Sequence, residues 1–529
     1  MRTDSGLLRA LGPACALILA AAGPWPAQAQ DGPLSAIDWL SKSVSAPAAG
    51  PVPASMPVPH PDPDEPPVAA GGALPEAVST TPLDGPSADG AGLIAPAVSG
   101  LPRDLWGVGL TDEIAAAIIR DRMDSLPALR QLFLTMLLAE AAPPIDSGGR
   151  GLLLQARIDK LLQLGALEQA AALISIAGAD TPEMFRRAFD IALLTGNEDR
   201  ACRTMQEAPG LAPTLPARVF CLAREGEWDA AALTLQTAKA LGQVTGAQAD
   251  LLARFLEPDL AEEAFAPPPP SPVTPLDWKI YEAIGETLPT ANLPVAFAYA
   301  EIGPSAGWKA QIEAAERLTR AGTIAPNVIL GLYTERDAAA SGGVWDRVDA
   351  FQDFESALRA GDPAAVAQTL PVIWERMQEV ELEVPFAVLY GKTLAEMNLD
   401  GEAGRIAFRV GLLSPAYETV ARARTPEDGT EAFLKGLATG SIAGLTAPDS
   451  MGRAVAPAFT APAPSPAALS LLAGRRLGEA ILLAIEEVAR GVEGDMTAIA
   501  QGLSLLRSVG LDGVARRTAL ELMILERRG

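Results

Sequence analysis

Three glycines constrain this chain more than any other feature of it. Gly165, Gly196 and Gly226 lie 31 and 30 residues apart, and each closes a run of apolar residues at helical spacing. Each is followed five residues later by an alanine: Ala170, Ala201 and Ala231. A turn between antiparallel helices needs a left-handed residue, which glycine adopts without a Cβ clash. Five residues on, the second helix crosses the first, and a small side chain lets the two backbones approach. Pro182 and Pro213 follow the first two alanines by twelve residues, where the next helix begins and a missing N–H costs nothing. Asp180 and Thr181 stand ahead of Pro182 as caps. The spacing predicts one helical hairpin repeated three times between residues 151 and 241.

The third unit reads Gly226-Glu227-Trp228-Asp229-Ala230-Ala231. With it the chain resembles the tetratricopeptide family, whose repeat carries a turn glycine, a small residue five later and a proline near its end. Trp228 and Asp229 stand where that family has an aromatic and an acid. Elsewhere the pattern departs from it. The period of 30 to 31 is shorter than about 34, Gln243 replaces the third proline, and the second-helix aromatic becomes Ile174, Met205 and Leu235. The signature returns in Gly361 with Val366, in Asn398 with Ala403 and Pro415, and in Gly510 with Ala515; asparagine is the usual substitute in a left-handed turn. The expected fold class is all-α, an α-solenoid of stacked helical hairpins preceded by a disordered N-terminal region. Stacked hairpins of this kind present a concave surface to a protein or peptide partner.

The amino end reads as a cleavable signal, residues 1–29, with Arg2 and Arg9 ahead of an apolar run and Ala27-Gln28-Ala29 as the cleavage site. Cys15 is no lipid anchor, because Gly12-Pro13-Ala14 lacks the apolar position of a lipobox. Residues 30–45 hold a short apolar segment. Residues 46–100 carry thirteen prolines, no Lys or Arg, and carboxylates at Asp62, Asp64, Glu65, Glu76, Asp84 and Asp89, a composition that reads as a disordered spacer. Helical patterns fill 101–265, where Pro127 opens a helix through Leu138, and again 276–446. A Pro-rich linker at 266–275 marks a domain border between them. A loop is expected at 447–466 and three closing helices over 467–529. After the leader, no stretch is apolar for the roughly 18 residues a membrane span needs. Arginine outnumbers lysine 34 to 7 amid abundant Ala, Gly and Pro, the bias of a GC-rich bacterial genome, so the expected location is a Gram-negative periplasm.

Composition excludes more chemistry than it suggests. The formal charge of −24 repels nucleic acid and anionic lipid, and it also serves plain solubility. The one histidine, His60, lies in the spacer, which removes Ser-His-Asp and Cys-His mechanisms and His-based zinc sites. No phosphate-binding glycine loop and no C-x-x-C is present, so no catalytic residue, cofactor or metal site is expected. Carboxylate chemistry survives without a location. Periplasmic lytic transglycosylases set an Ala-rich superhelix beside a catalytic domain using one Glu, and this chain resembles only the superhelix. Glu355-Ser356 occurs in a stretch that reads as helix interior. The expected function is that of a non-enzymatic periplasmic binding or scaffolding protein for an unknown protein or peptide. The rival is a carboxylate-dependent peptidoglycan hydrolase or its accessory factor.

Two further features carry expectations. Cys202 and Cys221 are the cysteines left after the leader, and an even count in an oxidising compartment favours a bridge. The repeat sets them on neighbouring helices; a bridge needs Cα atoms within about 7 Å, and two buried thiols are the other outcome. Ile37, Trp39 and Leu40 are large apolar residues in a segment too short to be stable alone as a helix. They form a candidate docking segment, for an external partner or for this chain's own groove, and an absence of any role is the third reading.

Overall fold

Apolar runs become helices here wherever a cap or proline starts them and a left-handed residue stops them. A computed structural model describes residues 87–120, 126–178, 180–257, 267–286 and 288–525. α1 (Pro96–Ser99), α2 (Thr111–Arg120) and α3 (Pro127–Leu138) lead in. Three hairpins follow: α4 (Leu152–Leu164) with α5 (Leu167–Ala177), α6 (Pro182–Thr195) with α7 (Glu198–Glu207), and α8 (Leu215–Arg224) with α9 (Trp228–Ala240). Gly165 at φ 75° and Gly196 at φ 73° end the first helices of two hairpins, and Gly226 lies at φ 85° after α8. Thr181 accepts from the Met184 N–H and Pro182 sits in the first turn of α6. At α8 the cap is Thr214 and the first-turn proline is Pro216, so Pro213 lies just outside the helix.

Ala170 and Ala231 are fully buried, as a close crossing requires. Ala201 is only half-buried; Cys202, one position on, is the fully buried residue. Cys202 is the residue that faces the neighbouring helix, where it is bonded to Cys221 of α8.

α10 (Gly246–Leu256) follows, and α11 (Pro275–Ala283) packs on both α10 and α6. The Pro-rich run is therefore a return path inside one compact unit, not a border between domains at 266–275. α12 (Tyr299–Ile302) also touches α6. The chain continues through α13 (Trp308–Arg320), α14 (Pro326–Tyr333), α15 (Val344–Ala360), α16 (Pro363–Glu379), α17 (Glu383–Glu396), α18 (Gly401–Leu413), α19 (Tyr417–Ala423) and α20 (Gly429–Thr439). Asn398 turns between α17 and α18 at φ 51°, and Ala403 beyond it is buried.

Two expected irregular stretches prove to be ordered. Within 447–466 lies α21 (Ser450–Thr460), capped by Asp449 on the Gly452 N–H, with Val455, Ala458 and Phe459 buried. A cap and an apolar stripe at helical spacing outweigh the Gly and Pro content that suggested a loop. Residues 87–100, assigned to the spacer by composition, are folded as well. Asp89 is buried and accepts from the Leu154 N–H at 2.8 Å, while Leu93 and Ile94 N–H donate to Leu138 O. Ala88, Ala91 and Leu93 supply the apolar contact that a count over 46–100 averages away. The closing helices number four rather than three: α22 (Pro466–Ala473), α23 (Leu477–Val492), α24 (Met496–Ser508) and α25 (Asp512–Ile524). Arg475, at φ 57°, divides the first expected helix in two.

The two ends of the described chain meet. Both carboxylate oxygens of Glu521 on α25 lie within 3.0 Å of the Ala128 N–H at the start of α3, which donates to them. Gly478 N–H donates to Leu105 O at 2.7 Å, and Arg476 pairs with Glu113. Helices thus touch partners far along the sequence as well as their neighbours. One buried cluster runs from Leu101 to Leu525; a second, including Phe185, Phe189, Phe220 and Tyr281, belongs to α6–α11. Buried charges tie the hairpins to the lead-in helices. Arg157 on α4 donates to the carbonyls of Leu137, Ala139, Ala91 and Asp89. Arg187 of α6 makes a two-pronged pair with Asp159 of α4, both bonds at 2.6 Å. Glu316 similarly holds Arg347 and accepts from the Tyr333 hydroxyl.

Candidate functional site

Three helix starts converge on α6. α8, α10 and α11 each begin with a threonine cap: Thr214, Thr245 and Thr274. Between those starts and α6 lies a cleft of about 200 Å³, lined by Arg186, Phe189 and Asp190 of α6 and by Asp277 of α11. Pro213, Pro216, Pro270 and Pro272 form much of the remaining wall. A proline wall offers rings and carbonyls but no backbone N–H.

Most polar groups in the cleft are already engaged in capping. Thr214 Oγ1 accepts from the Ala217 N–H at 3.1 Å. Gln248 Oε1 accepts from the Thr245 N–H at 3.2 Å. Asp277 Oδ2 accepts from the N–H and hydroxyl of Thr274, at 3.1 and 2.6 Å. These caps satisfy donors that helix ends otherwise leave open.

Asp190 is the exception. It is 8 % exposed, and its Oδ2 is occluded without a hydrogen bond; among the described residues, the charged group at ion-pair distance from that oxygen is Arg186 Nη1, at 3.6 Å. Burial pushes its carboxyl up to about 7; Arg186 and Arg187 oppose that rise and Asp159 adds to it. Burial also raises the Asp277 carboxyl, against the hydrogen bonds from Thr274. The sequence places Asp190 here because α6 is enclosed on most of its circumference: Phe185 and Phe189 face one cluster and Met184, Ile191 and Leu194 the other. Chemically, the cleft holds a carboxylate able to accept from a donor-rich group and to exchange a proton near neutrality.

The residues singled out from the sequence fall elsewhere. Gly165, Gly196, Gly226, Ala170, Ala231, Asn398 and Ala403 occupy turns and helix crossings. Cys202 and Cys221 form a disulfide with Cα atoms 5.0 Å apart, joining α7 to α8. A second cavity, of about 180 Å³, is lined by Cys221, Met205 and Arg218. Glu355 lies inside α15, where it accepts from the Tyr390 hydroxyl and pairs with Arg359. Trp228 is half exposed. Ile37, Trp39 and Leu40 lie outside the described residues, as does His60. Arg186, Asp190 and Asp277 escaped the sequence reading. The one signal was an acid inside the apolar run Phe189-Asp190-Ile191-Ala192-Leu193-Leu194, and its partners in the cleft come from segments distant in sequence.

Among the described residues, no three or more of His, Cys, Asp and Glu gather where they could hold a metal ion. No described helix is long and apolar enough to cross a membrane. No family model matches the chain, and neither curated proteins nor solved structures give a significant match.

Proposed function

We propose that this chain is a non-enzymatic binding or scaffolding protein of the periplasm, in which a short solenoid of hairpins holds a protein or peptide partner at the cleft beside α6. The observation that carries the reading is Asp190, a buried carboxylate whose Oδ2 makes no hydrogen bond, in a cleft where Thr214, Gln248, Thr274 and Asp277 are committed to helix caps. At about 200 Å³ the cleft is smaller than the ~300–1,000 Å³ of pockets that enclose drug-sized ligands. It suits one large side chain of a partner whose remainder spreads over the surrounding helices. The disulfide supports a compartment outside the cytoplasm, where such bonds persist.

Photo-crosslinking tests this reading. The full chain carries p-benzoylphenylalanine in place of Pro270 at the cleft, or in place of the exposed Val372 on α16 as a control, and is expressed in its own envelope. A discrete adduct from position 270 and none from 372 is the expected result. Equal labelling from both, or none from either, contradicts it.

A second reading, a carboxylate-dependent peptidoglycan hydrolase or its accessory factor, is favoured by one observation: two acids with raised pKa, Asp190 and Asp277, line the same cleft. Glycosidases use such pairs. Against it stand the engagement of Asp277 in its own helix cap and the small volume of the cleft. Release of soluble fragments from purified peptidoglycan, lost in Asp190→Asn, would favour it over the binding reading.

A further inference from the structure

We infer that the outer face of α9, the second helix of the third hairpin, is a self-association surface. Its occupant is the same face of a second copy of this chain, packed antiparallel about a two-fold axis beside Leu233. The inference is independent of the cleft beside α6. Three observations carry it.

The first is what the face presents. Ala231, Leu235 and Ala238 are the buried residues of α9. Asp229, Leu233, Gln236 and Ala240 recur at the same helical spacing on the opposite side and are exposed. Leu233 is 69 % exposed, and Trp228 and Leu241, at the two ends of the helix, are at least half exposed. The second helix of the preceding hairpin differs: α7 shows Asp199, Arg200, Arg203 and Glu207 to solvent. A helix at the end of a hairpin stack ordinarily carries a polar outer face, so three large apolar side chains on this one mark a contact surface.

The second is charge. Asp229 in the first turn and Lys239 in the last turn are exposed, and neither makes an ion pair among the described residues. Their charges cancel, so the face selects neither an acidic nor a basic partner. It does so within a chain of −24, whose copies repel one another wherever their surfaces meet unbalanced.

The third is symmetry. Asp229 and Lys239 stand equally far in sequence from Thr234. A two-fold axis crossing the helix there sets Asp229 of each copy against Lys239 of the other, so both unpaired charges find partners twice over. The same axis brings Leu233 onto Leu233 of the second copy. Trp228 lies on the same side of α9 as Lys239 by helical spacing, which lays its ring along the lysine stem of the second copy. A parallel pair would instead oppose Asp229 to Asp229 and Lys239 to Lys239. One helix face of 13 residues is small beside the roughly 800 Å² per partner of a standard interface, so the dimer is expected to dissociate in the micromolar range.

Sedimentation velocity of the full chain tests the inference. Across the micromolar range a monomer–dimer equilibrium is expected; a monomer at every concentration overturns it. Leu233→Asp sets two carboxylates together at the axis and should weaken the dimer at least about tenfold, with melting unchanged because the side chain faces solvent in the monomer. Asp229→Lys should weaken it as well, and adding Lys239→Asp should restore it, since the pair is rebuilt with its signs exchanged. A charge serving only its own helix end gives no such rescue. Oxidation of Leu233→Cys should yield a covalent dimer, whereas Ile176→Cys on α5, comparably exposed, should not. A dimer indifferent to Leu233→Asp overturns the inference, as does equal crosslinking from both cysteine variants. A dimer that Leu233→Asp breaks but the charge exchange fails to restore overturns the antiparallel register.

Discussion

Arg157 shows how a single charged residue can be structural. It is fully buried and gives its donors to four backbone carbonyls, those of Leu137 and Ala139 at the end of α3 and those of Asp89 and Ala91 in the folded segment ahead of α1. Burial lowers its guanidinium to about 10, so it stays charged at neutral pH. Arg157→Met keeps most of the stem but leaves those carbonyls without donors. At about 1–3 kcal/mol for each buried group left unpaired, the variant is expected to lose about 3 kcal/mol or more in urea unfolding. Asp190 behaves in the opposite sense. Its folded pKa lies above the ordinary carboxylate value, so the native state holds a proton that the unfolded chain releases. Stability from this group is fully present below about pH 4 and is lost as pH rises through about 7. Asp190→Asn cannot ionise, and its stability should fall less between pH 5 and 8 than that of the wild type, by up to about 3 kcal/mol. Parallel pH profiles for the two proteins would show that Asp190 titrates normally.

At the scale of elements, the hairpins were legible because each depends on a few residues close in sequence. A glycine that must reach positive φ, a small residue at the crossing and a proline in a first turn all leave marks that need no tertiary knowledge. The cleft left no such mark, since α6, α8, α10 and α11 meet there only after the chain has folded back. Ala201 illustrates the limit within a hairpin: at the crossing the buried residue is Cys202, one position on and bonded to Cys221. Ala170→Leu is therefore expected to overpack its crossing and cost roughly 1–3 kcal/mol, while Ala201→Leu costs clearly less; denaturant midpoints compare them. The disulfide closes a loop with a sequence separation of 19, which the chain-entropy model values at about 3 kcal/mol. Replacing both cysteines with serine should lower stability by that order. Titration of the unfolded, unreduced wild type should find no free thiol at these two positions.

The whole molecule differs most from a simple array in how its ends are joined. Composition and periodicity indicate helices, but nothing in either reveals that Glu521 accepts from the start of α3, 393 residues away. Such contacts make the helices interdependent. Removing residues 512–529 should speed amide exchange in α3 as well as in α24, whereas in an array held only by nearest neighbours α3 would be unaffected. The proposed partner-binding region is narrower, the cleft where α8, α10 and α11 begin beside α6. Hydrogen exchange of the full chain, with and without the partner captured from position 270, measures that claim most directly. The account predicts slowed exchange concentrated in peptides covering residues 186–190, 213–217 and 270–277. Protection confined to other helices, with these three segments unchanged, would contradict it.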